Sequence, residues 1–233
     1  LICEYARCRH FNQQTTRTMA SRTHDEIREQ LAQHIAQLIA DHGLEPGQAR
    51  KRALESLSGG QRLPTSAIPD ALHIDRALLE HLELFDPHHG QRLQRMRQVA
   101  IAMMRSIAPT PVLATGAVWK GIAIQDAPIH LQAFPEDTKQ LHFRLLDLGL
   151  DPEALSLRHF RTGKAIEALG VHWQGEAIMI AMYTPVDFRG ALQPTHIGGQ
   201  SLVERGDVLA LEAKLGPLDP ASHAKSRAIM RPY

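Results

Sequence analysis

The residues whose types and spacing suit them to chemistry lie between Pro109 and Phe134, in PTPVLATGAVWKGIAIQDAPIHLQAF. Val112 to Thr115 is a short apolar run, Gly116-Ala117 permits a tight turn, Val118 to Ala123 is predicted to make barely two helical turns, and Ile129 to Phe134 alternates again. A helix that starts directly after a glycine turn offers unpaired backbone N–H groups to an anion without any special side chain. Gly116 and Ala117 are therefore the expected phosphate-binding residues, with Lys120 one turn further along. On the following strand His130 and Gln132 are two residues apart and share a face. Neutral imidazole suits zinc, copper or nickel, whereas an amide oxygen brings no charge to offset a triphosphate. Pocket histidines also titrate near neutral pH. Asp126 has the same parity, but four residues of extended chain put it about 13 Å from His130. Pro128 between them cannot donate to a ladder, so the strand is expected to begin after it and Asp126 to lie in the loop, from which a bend would carry it back. Plainer readings stand beside these: a tight turn and nothing more at Gly116, and a partly buried His130 bonded to backbone.

The stretch resembles the signature of the polymerase-β-type nucleotidyltransferase superfamily, in which a hydrophobic residue and Gly-Ser or Gly-Gly are followed, one short helix later, by Asp-hydrophobic-Asp/Glu on a strand. Here ten residues, Val118 to Ala127, separate Gly116-Ala117 from Pro128-Ile129-His130. The spacing agrees and the carboxylates are replaced. More narrowly, residues 24–192 are similar to short bacterial proteins with a TGAV...DIHLQLF pattern, labelled nucleotidyltransferase-domain proteins and in some cases UDP-N-acetylmuramate-alanine ligases.

The resemblance implies an α+β fold, a small mixed sheet with flanking helices preceded by an N-terminal helical lobe. It implies a nucleoside triphosphate as substrate, a divalent metal (magnesium, manganese or zinc), and transfer of a nucleoside monophosphate to a hydroxyl. In active members the paired strand carboxylates hold two magnesium ions that bridge nucleotide phosphates, and magnesium demands octahedral oxygen ligands. A third carboxylate often comes from a neighbouring strand, and Glu167 in Lys164-Ala-Ile-Glu-Ala-Leu is the matching residue; otherwise it is an ordinary solvent-facing strand position. The implied catalytic set is thus His130, Gln132, Asp126 and Glu167, the metal set Asp126, His130 and Glu167, and the nucleotide-binding set Gly116, Ala117 and Lys120. Arg158, His159, Arg161 and Lys164 form a basic cluster that assists a phosphate or simply solvates a hairpin. The expected function is binding of a nucleotide or phosphate at the Gly116-Ala117 turn, with an eroded metal site and weak or absent nucleotidyl transfer. The alternative is a non-catalytic protein-interaction or regulatory module that keeps the fold, with a protein partner met through the helical lobe.

The sequence argues against several other classes. Leu57-Ser-Gly-Gly-Gln61 copies the signature sequence of ABC-type ATPases, but no G-x-x-x-x-G-K-[ST] loop exists in the chain. That absence argues equally against the Mur-ligase label. Among 14 histidines there is no H-E-x-x-H and no Cys-His pattern, and no G-x-S-x-G elbow is present. A net charge of +1 spread along the chain leaves no strong electrostatic footprint for nucleic acid or an anionic membrane, which weakens a DNA-binding reading without excluding it. The most apolar of the long uncharged runs, Ser106 to Trp119, carries two prolines and falls short of the ~20 residues a membrane span needs. Both cysteines, Cys3 and Cys8, precede the presumed folded body, which fits a reducing cytoplasm.

With 233 residues, 43% of them hydrophobic, the chain can bury a sizeable core. Residues 1–18 are expected to be a disordered or appended tail, since the first methionine is Met19. A helical lobe is expected over 19–108: a helix opened by the capping box Thr23-x-x-Glu26 and ended by Gly43, a second from Pro46 to about Leu57, a third opened by Pro69 and stopped by Asp86-Pro87, and a fourth from about Gly90 to Ile107. The α/β domain follows over 109–216. It continues with a helix from Pro135 to Leu148 and strands Leu155 to Arg161, Ala165 to Trp173 and Glu176 to Tyr183, joined by turns at Thr162-Gly163-Lys164 and Gln174-Gly175. Pro185 starts a short helix, Gln193 to Gln200 reads as loop, Leu202 to Leu215 as helix, and 217–233 as a loose tail.

Overall fold

A computed structural model describes residues 24–58, 63–197 and 199–215. The tail 1–18, the capping-box Thr23, the Gly-Gly-Gln of the ABC-like decoy and the tail 217–233 lie outside the described residues. The chain divides into two compact units, 1–87 with 196–201 and 88–195 with 202–233.

The first unit is helical. α1 covers residues 24–42 and ends at Gly43, whose φ of 61° suits a residue without a side chain. α2 (Pro46–Ser58) begins on its proline. α3 (Ala71–Phe85) starts two residues after Pro69, because Asp70 is its N-cap and accepts from the His73 N–H at 3.0 Å. Leu31, Ile35, Ala49, Ala53, Ile74, Leu78 and Leu82 are buried at helical spacing.

The second unit carries a six-stranded mixed sheet, with flanking helices, as the fold class expected. Its strands are β1 (Val112–Thr115), β2 (Ile129–Ala133), β3 (Glu153–Arg158), β4 (Ala165–Trp173), β5 (Glu176–Met182) and, after the short β6 (Thr195–Ile197) and β7 (Gln200–Leu202), β8 (Arg205–Gly206). The order is β3-β4-β5-β2-β1-β8, with β2 parallel to β5 and every other pair antiparallel. The β4–β5 hairpin closes on Gln174 and Gly175, both at positive φ (52° and 81°), as a two-residue turn that follows strand twist requires.

One face of the sheet is a continuous apolar core. Ala114, Ile129, Leu131, Leu169, Val171, Ile178 and Ile180 meet side chains from α4 (His89–Ser106), α6 (Thr138–Asp147) and α8 (Val208–Glu212). α4 packs Leu93, Met96, Val99, Ala100 and Met103 into this core and belongs to the second compact unit, which begins at His88. The other face holds a smaller cluster, Leu113, Phe134, Ala181, Tyr183 and Ala191, covered in part by α7 (Pro185–Ala191) and Phe160.

Several boundaries differ from expectation, and the expected loop Gln193 to Gln200 contains the strand Thr195–Ile197. α5 spans Gly116–Lys120 and not Val118–Ala123, because Gly121 adopts φ 87° and ends it. β3 ends at Arg158, since the His159 ring then accepts the backbone N–H groups of Arg161 (3.1 Å) and Thr162 (3.3 Å) and closes a turn. The helix expected over Leu202 to Leu215 is only α8, N-capped by Asp207, and Arg205–Gly206 instead pairs with β1. A side chain at Gly206 would run into Trp119 and Ala210. Among the described residues no helix is long and apolar enough to cross a membrane.

Candidate functional site

The ladder register fixes which side chains share the less covered face. Thr115 pairs with His130 and Leu113 with Gln132, while Ala181 sits opposite Gln132 on β5 and Ala168 opposite Ala181 on β4. His130, Gln132 and Thr115 therefore project together, away from the main core. Gly116 follows directly at the end of β1. Its φ is 70°, and a Cβ built there would lie 3.3 Å from His130 Cδ2. The glycine turn and the imidazole-bearing strand thus meet at one place, and Gly116, Ala117 and His130 are all half-buried.

The edge of the sheet holds this turn in position. Thr115 Oγ1 donates to the Glu204 carbonyl at 3.0 Å and Trp119 Nε1 to the Val203 carbonyl at 2.7 Å. Lys120 Nζ lies 3.7 Å from Glu204 Oε1, so the lysine expected to meet a phosphate faces a carboxylate. Glu204 also accepts from Thr195 Oγ1 at 2.7 Å.

Gln132 is the polar centre of this face. It is 6% exposed, and its Oε1 has no hydrogen-bond partner among the described residues. Arg205, paired in the ladder with Thr115, reaches over the same face with its side chain 10% exposed and its Nη1 likewise unpartnered. Its guanidinium carbon lies 4.5 Å from the centre of the Phe160 ring, and Arg161 approaches that ring at 5.6 Å. Burial lowers the pKa of Arg205, with Arg161 adding repulsion and Glu204 and Tyr183 opposing. Burial likewise raises the pKa of the Tyr183 hydroxyl, against the Phe160 backbone, the Arg205 charge and the Gln132 side chain. Aromatic packing fixes this wall: Tyr183 stacks on Phe134 at 5.5 Å and meets Phe160 at 5.1 Å, while Phe188 packs edge-on against Phe134 at 5.1 Å.

His159, the middle of the basic cluster, is tied rather than free. Its Nδ1 accepts two backbone N–H groups and its Nε2 faces Asp187 Oδ1 at 3.3 Å. Asp187 Oδ2 in turn accepts from Thr184 Oγ1 (2.6 Å) and the Thr184 N–H (3.3 Å), which sets the start of α7. Those Thr184 bonds, then His159, hold the Asp187 carboxyl below its ordinary pKa of 3.8. A carboxylate whose pKa is lower folded than unfolded stabilises the fold above the unfolded value and loses that contribution as pH falls through the folded one. Asp187→Asn should therefore cost about 1 kcal/mol near neutrality. The gap between the two proteins in a thermal-unfolding series should close as the solution is acidified below about pH 4.

Two expected site residues are not brought to His130. Asp126 lies in an exposed turn at φ 59° and lines a cavity of about 820 Å³ with Arg92, Arg95, Gln125, His172 and Glu176, to which neither His130 nor Gln132 contributes. Glu167 has the parity of Leu169 and Val171, which are in the main core, so it projects from the opposite face of the sheet. Among the described residues no three His, Cys, Asp or Glu side chains cluster so as to hold a metal. Arg205, Tyr183 and Phe160 were not singled out from the sequence. The one signal available was Arg205-Gly206-Asp207, in which a helix-capping aspartate marks where an extended segment must stop.

No protein-family model and no curated protein matches the chain. Solved structures do. A cytoplasmic RNA terminal U-transferase aligns at 19% identity over 42% of this chain and 31% of that one, with a TM-score of 0.30. Cid1 in complex with the UTP analog UMPNPP aligns at 14% identity over 42% and 30%, with a TM-score of 0.31. Cid1 in complex with its short product ApU aligns at 16% identity over 43% and 34%, with a TM-score of 0.31. This chain spans about a third of the length of these structures.

Proposed function

We propose that the second unit is a nucleotidyltransferase-like domain that binds a nucleotide or phosphate on the sheet face shared by Gly116, Ala117, His130 and Gln132, with weak or absent nucleotidyl transfer, in the cytoplasm. The observation that carries this reading is the contact of Gly116 with His130: a Cβ on the glycine would sit 3.3 Å from the imidazole, so turn and strand line one spot. The first N–H groups of α5 have no partner within their own helix, and the Thr115 side chain does not cap them.

The side chains here do not fit a magnesium pair. Imidazole and amide stand where hard oxygen ligands are needed, Glu167 is on the other face, and Asp126 lines a separate cavity. No step through a metal is therefore assigned. What these residues do is bind: backbone N–H groups donate to a phosphate oxygen, and His130 bounds the space beside the turn. The second reading, an interaction or regulatory module, is favoured by Leu84 and Phe85, which are 77% and 71% exposed at the end of α3.

A thermal-shift screen of ATP, GTP, CTP and UTP with magnesium, manganese or zinc tests the proposal. A nucleotide at a hundred times its dissociation constant adds about 2.7 kcal/mol of apparent stability. At least one should shift the transition; no shift with any of them favours the interaction module. Nucleotide transfer gained by the double variant P128D/H130D, where wild type has none, would mark the site as an eroded enzyme.

A further inference from the structure

We propose that Arg205 and Gln132 form a subsite for a phosphoryl oxyanion on the face that carries Gly116 and His130. The source of that phosphoryl group, a nucleotide, rests on the function proposed above; the subsite itself does not.

Arg205 is charged at every physiological pH and presents a fixed fork of N–H donors. Nine-tenths of its side chain is withdrawn from water, yet Nη1 has no acceptor among the described residues. Glu204 neutralises it poorly. The nearest approach is Nη2 to Oε2 at 3.8 Å, and the same carboxylate faces Lys120 and accepts from Thr195. Phe160 covers one face of the guanidinium and Arg161 adds a second positive charge over the same ring. A buried cation with an idle donor and a like charge beside it is a costly arrangement that an anion relieves.

Gln132 supplies the second donor. Its amide lies beside the Tyr183 hydroxyl, and its oxygen is the atom left without a partner. The two ends of a glutamine amide exchange by a half-turn of the terminal torsion. Turned so, Oε1 accepts the Tyr183 O–H and Nε2 becomes a donor on the side of Tyr183 that Arg205 also approaches. Two donors, one charged, then stand beside Tyr183, and Arg205 Nη1 has no acceptor among the described residues. A phosphoryl group brings several oxygens and up to two negative charges, which matches a guanidinium fork with a neighbouring amide and a second arginine. The ladder pairing of Arg205 with Thr115 sets the subsite next to the Gly116 turn.

Inorganic phosphate is the probe, titrated into the full chain against chloride at equal ionic strength and followed by calorimetry and by the side-chain 15N resonance of Arg205. Phosphate should bind wild type and move that resonance, and Arg205→Met should weaken binding at least tenfold. Arg205→Lys, which keeps a charge but loses the fork, should fall between them and serves if the methionine variant does not fold. Failure of phosphate to bind wild type, or equal binding by the variants, overturns the subsite. The four nucleoside triphosphates form a second arm. If they bind wild type and Arg205→Met alike while phosphate does not bind, the subsite is wrong and the nucleotide reading stands. If phosphate binds through Arg205 and no nucleotide does, the subsite stands and the nucleotide reading is wrong.

Discussion

Gly116→Val is expected to remove ligand binding at the sheet face and to lower stability by about 2–3 kcal/mol. Two effects combine. The backbone at this position is left-handed, at φ 70°, where a β-branched residue is a severe outlier. The new side chain would also begin 3.3 Å from His130 Cδ2 and drive its branches into the imidazole. Either the ring leaves its place on β2 or the turn opens, and both dismantle the surface that a phosphate would meet. Gly116→Ala separates the two contributions. It keeps most of the backbone strain, about 1 kcal/mol, but presses on His130 with a single methyl. Denaturant unfolding should rank wild type above alanine above valine, and any nucleotide-induced thermal shift should survive, weakened, in alanine alone.

Phe134→Ala should have the largest effect on stability, about 3–5 kcal/mol. Phe134 is 1% exposed directly after β2, with Tyr183 stacked at 5.5 Å and Phe188 edge-on at 5.1 Å. It is the piece of the minor core on which α7 rests, since Phe188 and Ala191 both belong to that cluster. The cavity left behind would free Tyr183, which stands next to Gln132 and Arg205. A lowered denaturant midpoint is therefore expected together with loss of the phosphate response under conditions where the variant remains folded. A stability loss with an unchanged phosphate response would show that the aromatic wall does not position the polar residues.

These two sites also mark what the sequence could and could not reveal. The segment from Val112 to Phe134 was legible because every cue in it is local: an apolar run, a glycine needing positive φ, a proline that delays the next strand, and an alternation that puts His130 and Gln132 on one side. The Gln174-Gly175 hairpin was legible for the same reason. Glu167 was not, because its face relative to His130 depends on a register relayed through β5, and parity within one strand says nothing about parity across three. Lys120 looked available because its carboxylate, Glu204, is supplied by a distant loop. β8 is two residues long, too short to show any period, so Arg205 read as part of a helix. In each failure a long-range pairing decided the environment.

The most direct test of the central claim, that the glycine bend and His130 bound one ligand site, is a 1H–15N titration with whichever nucleotide gives the largest thermal shift. The account predicts that the Gly116 and Ala117 amides and the His130 ring signals move together along one saturation curve. Signals that stay still at these three residues while Leu84 and Phe85 move would contradict it.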